Sequence, residues 1–456
     1  MLSDCAKAMQ GRLIGEDMAI VSVSINTRTI KPGQLYIAIK GHVFDGHQFI
    51  NQAASAGACA AVVETEIETS LPHIIVKDTR LALAELSGVW RKSVNKENGA
   101  SLAVIGVTGS NGKTTVKEML AAILAINDPV LFTQGNLNND IGVPLTLLEL
   151  EEQHRYAVIE MGANHAKEIA YTSHYVEADV VIINNAGAAH IAGFGSLDGV
   201  AKAKGEIIET LKKTGTVIIN HDDEYFAYWK SVAANRSIVS FGLNAGADVT
   251  ANAIKEKVHH NAFITQFALS TNQGSVDIIL KLAGRHNVLN ALAAAAASLA
   301  LGITLTQIKQ GLESIVSVTG RLQPLVSSTG AIIIDDTYNA NSASLKAALN
   351  VLANFKGKSW VVLGAFGELG PNSPKMHEEM GVLIKSNGVT RLMAVGADCK
   401  KTVAAFGVGA TYFEEQQDLI TALKHELEGD ETILIKGSRA QRMEIVVAAL
   451  VDDFRN

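Results

Sequence analysis

Val104-Ile105-Gly106-Val107-Thr108-Gly109-Ser110-Asn111-Gly112-Lys113-Thr114-Thr115 joins an apolar run to a Gly-rich turn and then to a helical pattern. That succession reads as a strand, a phosphate-binding loop and the first turn of a helix. Small residues at Gly109, Ser110 and Gly112 let the backbone turn tightly and present its N–H groups, and the following helix aims its positive end at the same point. A polyphosphate fits there, with Lys113 neutralising the outer phosphates and the Thr114 hydroxyl placed to ligate Mg²⁺. The whole loop, Thr108, Gly109, Ser110, Asn111, Gly112, Lys113, Thr114 and Thr115, is a candidate nucleotide site. Its spacing is irregular: the usual pattern has a glycine five residues before Gly112, where Val107 stands. A plain Gly-rich turn is the competing reading, and it accounts for neither the lysine nor the paired threonines.

Working outward, short β-branched runs at 156–161, 179–184 and 216–220 alternate with helical patterns, which predicts a parallel sheet covered on both faces. Glu160 falls at the carboxyl end of one run, where such sheets present ligands. A carboxylate there suits Mg²⁺ alongside Thr114; a cap on the next helix is the alternative. His190 follows the next run and could be a second ligand or an ordinary loop histidine. Lys202 and Lys204 read as a solvated helix face. Residues 248–282 change to strict alternation with turn residues at Asn272-Gln273-Gly274, predicting an antiparallel flank, and an Ala-rich helix follows over 287–301.

Upstream, residues up to about 83 read as a small α/β unit with a helix over 49–58 and a strand over 60–63. Its loops carry Thr27, Arg28, Lys40 and His47, donors that an anion could use or that solvent and turns could occupy. A helix over 81–92 and a polar run over 92–100 lead into the central segment. Downstream of an irregular stretch over 314–330, which carries Arg321, strands are predicted at 331–335, 359–364, 391–396 and 431–436. That is a Rossmann-like pattern without the dinucleotide glycine fingerprint. Polar clusters stand at two of its strand ends: Asp335, Asp336, Thr337, Tyr338, Asn339, Ala340, Asn341, and Lys436, Gly437, Ser438, Arg439.

The 456 residues suit about three domains, and 48% hydrophobic with 19% charged residues is a globular composition. A net charge of -7 argues against nucleic acid as the main partner and for a small substrate. Cys5, Cys59 and Cys399 have no metal-ligand spacing and fit a reducing, cytoplasmic setting. The first eleven residues lack a signal-peptide layout, and the apolar run over 291–301 is too short to cross a bilayer, so no membrane association is expected.

Four stretches together resemble the Mur ligase family over essentially the whole chain: the irregular loop 108–115; Gly135-Asn136-Leu137-Asn138-Asn139-Asp140-Ile141-Gly142-Val143-Pro144; Glu160-Met161-Gly162-Ala163; and Gly284-Arg285-His286-Asn287-Val288-Leu289-Asn290-Ala291. The irregular spacing is that family's own version of the loop. The resemblance implies three α/β domains: 1–83 for a UDP-linked substrate, a central P-loop ATPase-like domain over 84–318 for ATP, and a Rossmann-like domain over 319–456 that helps to bind the incoming amine. Within the family the chain looks like the members that join D-alanyl-D-alanine to UDP-N-acetylmuramoyl-tripeptide, using ATP and Mg²⁺ through an acyl phosphate, as monomers in the cytoplasm.

By the same resemblance, Thr27, Arg28, Lys40 and His47 meet the UDP-sugar, and Asn138 and Asn139 lie on the acceptor side. Glu160 and His190 match Mg²⁺ ligands. Lys204 matches a lysine that many members carry as a carbamate, a metal-binding form. Asn287 and Asn290 resemble adenine contacts, Arg321 the terminal-phosphate contact and Asp336 the ribose contact. Tyr338, Asn339, Asn341, Lys436, Ser438 and Arg439 are expected near the amine substrate. Lys113, His190, Lys204 and Arg321 form the expected catalytic set. A sister ligase that adds a diamino acid would carry Asp-Asn-Pro-Arg in the last domain, where this chain has Asn339-Ala340-Asn341. Folylpolyglutamate synthase shares the architecture but not the motif running from Pro32 to His47. A nucleotide-gated binding protein is the alternative outside the ligases. The usual Asp after Leu-Gly in the third domain is Ala365 here, so no role passes to that position.

Overall fold

The computed structural model describes residues 1–41, 43–94, 101–187, 191–259, 262–355 and 357–451. The phosphate-loop strand Ala103–Thr108 is apolar and buried from Val104 onward, as expected where both faces are covered. It lies inside a six-stranded sheet of order Ser237–Phe241, Thr216–Asn220, Val180–Ile183, Ala103–Thr108, Tyr156–Glu160, Val130–Phe132. Every pairing in it is parallel. The chain leaves Thr108 toward one side of the sheet and leaves Ile183 toward the other. The carboxyl ends of these two neighbouring strands therefore form a crevice at a reversal of strand order, the usual ligand position in such sheets.

Each face of this sheet has its own core. Helices Lys113–Leu124 and Arg285–Ala300 cover one face, and Glu168–Val176 and Leu197–Glu209 the other. In Arg285–Ala300, Ala293 to Ala297 are wholly buried, so the alanines let this helix lie close to the sheet and to Lys113–Leu124. The predicted antiparallel flank is present as Thr250–His259, Ala262–Thr271 and Gly274–Leu280. Ala262–Thr271 alternates between buried and partly exposed positions over most of its length, placing Phe267 and Leu269 against the first core.

The first unit is a five-stranded sheet of order Arg12–Ile14, His73–Ile75, Ala60–Val63, Gln34–Ile37, Ser22–Ser24, parallel except at Arg12–Ile14. The helix expected over 49–58 is shorter: a 3-10 turn Gly46–Phe49 and a helix Ile50–Ser55. Residue 83, the expected domain limit, lies in the middle of the helix Thr79–Ser93. That helix starts from an Asp78 cap and ends against the central unit, where buried Arg91 donates to the carbonyls of Val176 (2.9 Å) and Glu177 (2.8 Å). Trp90 Nε1 donates to Leu150 O at 3.0 Å, and Arg80 meets Asp140 at 3.1 Å. The first unit is thus joined to the central one through a continuous helix.

The last unit is a six-stranded sheet of order Gln323–Val326, Ile332–Asp336, Glu431–Lys436, Lys358–Gly364, Arg391–Val395, Ala410–Phe413, parallel except at its first strand. Two of its edge strands, Gln323–Val326 and Ala410–Phe413, were absent from the expected set. Both are four residues long and partly exposed, and the first contains Pro324, so neither shows a buried apolar run.

Candidate active site

The glycines of the phosphate loop are required by its shape. Gly112 has φ +78°, and a Cβ there would lie 2.3 Å from Asn290 Oδ1 and 2.5 Å from Asn184 Nδ2. Behind the loop, Ser110 N donates to Asn185 O at 3.0 Å and Asn111 N donates to Asn185 Oδ1 at 2.8 Å. The loop is thereby fastened to the neighbouring strand end at the sheet's crevice.

Lys113 opens the helix, and its Nζ donates to Gly109 O at 2.8 Å, folding back over the loop. Burial holds its ammonium below the usual lysine range; Glu160 opposes that shift and Arg321 adds to it. Thr114 Oγ1 donates to Glu160 Oε2 at 3.0 Å, and Glu160 Oε1 accepts from Asn138 Nδ2 at 2.8 Å. Arg321 arrives from the last unit: its Nη2 donates to Thr114 Oγ1 at 2.9 Å, and its guanidinium lies 4.1 Å above the Tyr338 ring. Lys113, Thr114, Asn138, Glu160 and Arg321, drawn from separate stretches of the sequence, thus gather at one place. Arg321 Nε and Asn184 Oδ1 are buried without a hydrogen-bond partner among the described residues, polar capacity that a ligand or water can meet.

The donor set fits a hard divalent cation. Thr114 and Glu160 put a hydroxyl and a carboxylate side by side where Mg²⁺ would be held next to nucleotide phosphates. His190 lies outside the described residues. Lys204 is buried whereas Lys202 is exposed, which separates two lysines that read alike as a solvated face. Burial, reinforced by Lys113, pulls the Lys204 ammonium down to about 7, and its Nζ lies 5.7 Å from the Phe194 ring centre.

Asn287 and Asn290 are both buried, with their amides engaged inside the protein. Asn290 Nδ2 donates to Asn287 Oδ1 (3.0 Å), Asn290 Oδ1 accepts from Asn184 Nδ2 (2.9 Å), and Asn287 Nδ2 donates to Ala283 O (2.7 Å). Beside them His286 is partly buried, and desolvation pulls its imidazole down to about 4, leaving it neutral. Asp336 accepts from Lys436 Nζ at 2.5 Å and from Leu322 N at 3.3 Å. Lys436 is wholly buried and also donates to Asn339 O, so it supports the 336–341 loop from beneath instead of reaching a substrate directly. Ser438 is likewise buried, donating to Ala365 O at 2.7 Å. Arg439 is paired with Glu444, and Asn339 Oδ1 accepts from Ala340 N. Asn341 caps the helix Ser342–Leu352 and meets Asn111 of the phosphate loop.

In the first unit, Thr27 and Arg28 follow the strand Ser22–Ser24 and Lys40 follows Gln34–Ile37. These strands are parallel, so the three residues share one edge of the sheet. Helix Thr79–Ser93 leaves that same edge, and its Arg80 contacts Asp140 in the loop of Asn138 and Asn139. His47 differs from the expectation. Its Nε2 accepts from Glu64 N at 3.0 Å and its Nδ1 lies 2.6 Å from Asp45 Oδ1, so both ring nitrogens are occupied in building the loop. Asn139 Oδ1 is likewise occupied, accepting from Ile141 N at 3.3 Å and from Gly142 N at 2.8 Å just before and at the start of the helix Gly142–Leu147. Asn184 and Asn185 had been given no role by the sequence, although they directly follow the strand Val180–Ile183 beside Thr108, at the same end of the sheet as Glu160.

A phosphate loop at the carboxyl ends of a parallel sheet, met by an arginine from another α/β unit, defines a multidomain nucleotide-dependent enzyme. Three family profiles match: "Mur ligase family, catalytic domain" over 19–102, "Mur ligase middle domain" over 107–298 and "Mur ligase, glutamate ligase domain" over 320–439. The chain is similar to UDP-N-acetylmuramoyl-tripeptide--D-alanyl-D-alanine ligase of Escherichia coli, at 44% identity with 99% of this chain and 98% of the relative covered. It is similar to the enzyme of the same name from Haemophilus influenzae, at 40% with the same coverage. Among solved structures, MurF from Acinetobacter baumannii superposes with TM-score 0.91 at 38% identity, covering 98% of this chain and 97% of that one. MurF ligase from Thermotoga maritima in complex with ADP gives 0.84 at 27%, covering 95% and 98%. The chain belongs to the Mur ligase family, and it is an ATP-dependent ligase that forms carbon–nitrogen bonds.

Proposed function

We propose that this enzyme joins D-alanyl-D-alanine to UDP-N-acetylmuramoyl-tripeptide, completing a pentapeptide precursor of peptidoglycan in the cytoplasm, as a monomer. The relatives' names supply the substrates. The observation that carries the chemistry is the convergence of Lys113, Thr114, Glu160 and Arg321 across two units.

ATP phosphorylates the terminal carboxylate of the tripeptide, and the amino group of the dipeptide then attacks the acyl phosphate to give an amide, ADP and phosphate. The loop's backbone N–H groups at Gly109, Gly112 and Lys113, with the Lys113 ammonium, hold the β- and γ-phosphates, those of Ser110 and Asn111 being bonded to Asn185, while Arg321 adds positive charge where the transferring phosphoryl group develops negative charge. Bound Mg²⁺ would further neutralise the phosphates, held by Thr114 and Glu160, with His190 and a carbamylated Lys204 completing its surroundings. A lysine that is largely neutral above about pH 7 is the form that CO₂ can carbamylate, which supports that role for Lys204. Asn138 fixes the Glu160 carboxylate. Asn287, Asn290 and Asp336 lie toward the adenosine end, and Thr27, Arg28 and Lys40 toward the UDP-sugar. We assign Tyr338 and Asn339 to the amine side. We divide the chain into a UDP-substrate unit that runs through the helix Thr79–Ser93, a central ATP unit to about 318, and a last unit from 319.

Hydroxylamine trapping tests this reading. With ATP, Mg²⁺ and UDP-N-acetylmuramoyl-tripeptide but no amine, the enzyme should yield the tripeptide hydroxamate. ATP consumption without any hydroxamate would contradict the acyl-phosphate route.

A further inference from the structure

A line of asparagines crosses the nucleotide site. Asn290 Nδ2 donates to Asn287 Oδ1 on the helix Arg285–Ala300, and Asn184 Nδ2 donates to Asn290 Oδ1. Asn184 and Asn185 both donate to Asn111 O, at 2.9 and 3.1 Å, and Asn111 N returns a bond to Asn185 Oδ1. At its end, Asn341 Nδ2 donates to Asn111 Oδ1 at 2.7 Å, across 230 residues of sequence and from one α/β unit to another.

Asn341 is well suited to hold that end. Its Oδ1 accepts from Ser344 N at 2.9 Å as the cap of Ser342–Leu352, which fixes the amide plane and leaves Nδ2 aimed outward. Arg321, which also comes from the last unit, binds Thr114 three residues after Asn111. We propose that Asn341 is a positioning residue that seats the last unit on the phosphate loop through Asn111, and so aligns Arg321 for phosphoryl transfer. The catalytic part of this proposal rests on the ATP-ligase reading above; the seat itself does not.

The test uses the full-length enzyme with Asn341→Ser, Asn111→Ala and the double variant. Serine keeps the helix cap and is too short to reach Asn111, so Asn341→Ser should fold as the parent does. It should lose about five- to tenfold in kcat, the size of one neutral hydrogen bond, while its Kd for a non-hydrolysable ATP analogue stays within about twofold, because the central unit's own contacts are intact. The double variant should be no slower than Asn111→Ala alone. Small-angle scattering of the ligand-free proteins should show Asn341→Ser more expanded than the parent. Unchanged kcat in Asn341→Ser, or losses that multiply in the double variant, would overturn the positioning role. Identical scattering of parent and Asn341→Ser would overturn the seat, whether or not the parent proves to make the amide.

Discussion

Gly112 and Lys204 show what single residues contribute to this site. Alanine at 112 would have to adopt φ +78° and push aside two asparagine amides at 2.3 and 2.5 Å. A left-handed residue alone costs roughly 1–2 kcal/mol, so Gly112→Ala should weaken ATP binding by about tenfold or more while the protein remains folded; calorimetric titration with an ATP analogue would read this. Lys204 makes a prediction about pH. Its native value of about 7 lies below the ordinary lysine value, so between pH 7 and about 10.4 the unfolded chain holds a proton that the native state has released. Stability therefore rises with pH through that window, and burying this lysine costs most at its lower end. In CO₂-free buffer, Lys204→Met should raise the urea midpoint at pH 7, with an advantage over the parent that shrinks toward pH 10, and should abolish turnover. A variant less stable than the parent at pH 7 would contradict the desolvation argument. At this scale the sequence was most readable where chemistry is local: the loop 108–115 carries its glycines, lysine and threonine side by side. His47 was only half readable: Asp45, which meets one ring nitrogen, stands two residues before it, but the backbone N–H of Glu64 that meets the other is 17 residues away.

At the scale of elements, continuous apolar runs gave the central parallel strands and alternation gave the antiparallel flank, because each pattern reflects how many faces are buried. Short edge strands such as Val130–Phe132, three apolar residues, and Gln323–Val326 are too brief to establish either pattern. The helix Arg285–Ala300 was legible as a helix, but its task was not. Its alanines matter through close approach: Ala294 is wholly buried in the core shared with Lys113–Leu124 and the sheet. Ala294→Leu should therefore destabilise the protein by about 1–3 kcal/mol, and also disturb Asn290, one turn earlier, whose amide supports Gly112. A lower urea midpoint together with weaker nucleotide binding is the expected pair of results. A variant as stable as the parent would show that the helix has room that its burial denies.

At the scale of the whole molecule, the three units are joined in different ways. The first is bound to the central one by the helix Thr79–Ser93 and by the buried Arg91. The last reaches the site through Arg321 and Asn341, partners separated from Thr114 and Asn111 by 207 and 230 residues. Such distances explain why the convergence came from a family resemblance and not from motif spacing. Among the described residues no helix is long and apolar enough to cross a membrane. On the proposed reading the UDP-linked acceptor, the nucleotide and the amine draw on all three units, so substrate specificity belongs to this scale. The decisive measurement is ATP-dependent phosphate release with UDP-N-acetylmuramoyl-tripeptide and either D-alanyl-D-alanine, a free diamino acid or no amine, with the product mass read in each case. Release matched by a new amide with the dipeptide alone is the predicted result; release without an amide, or an amide with the diamino acid instead, would contradict it.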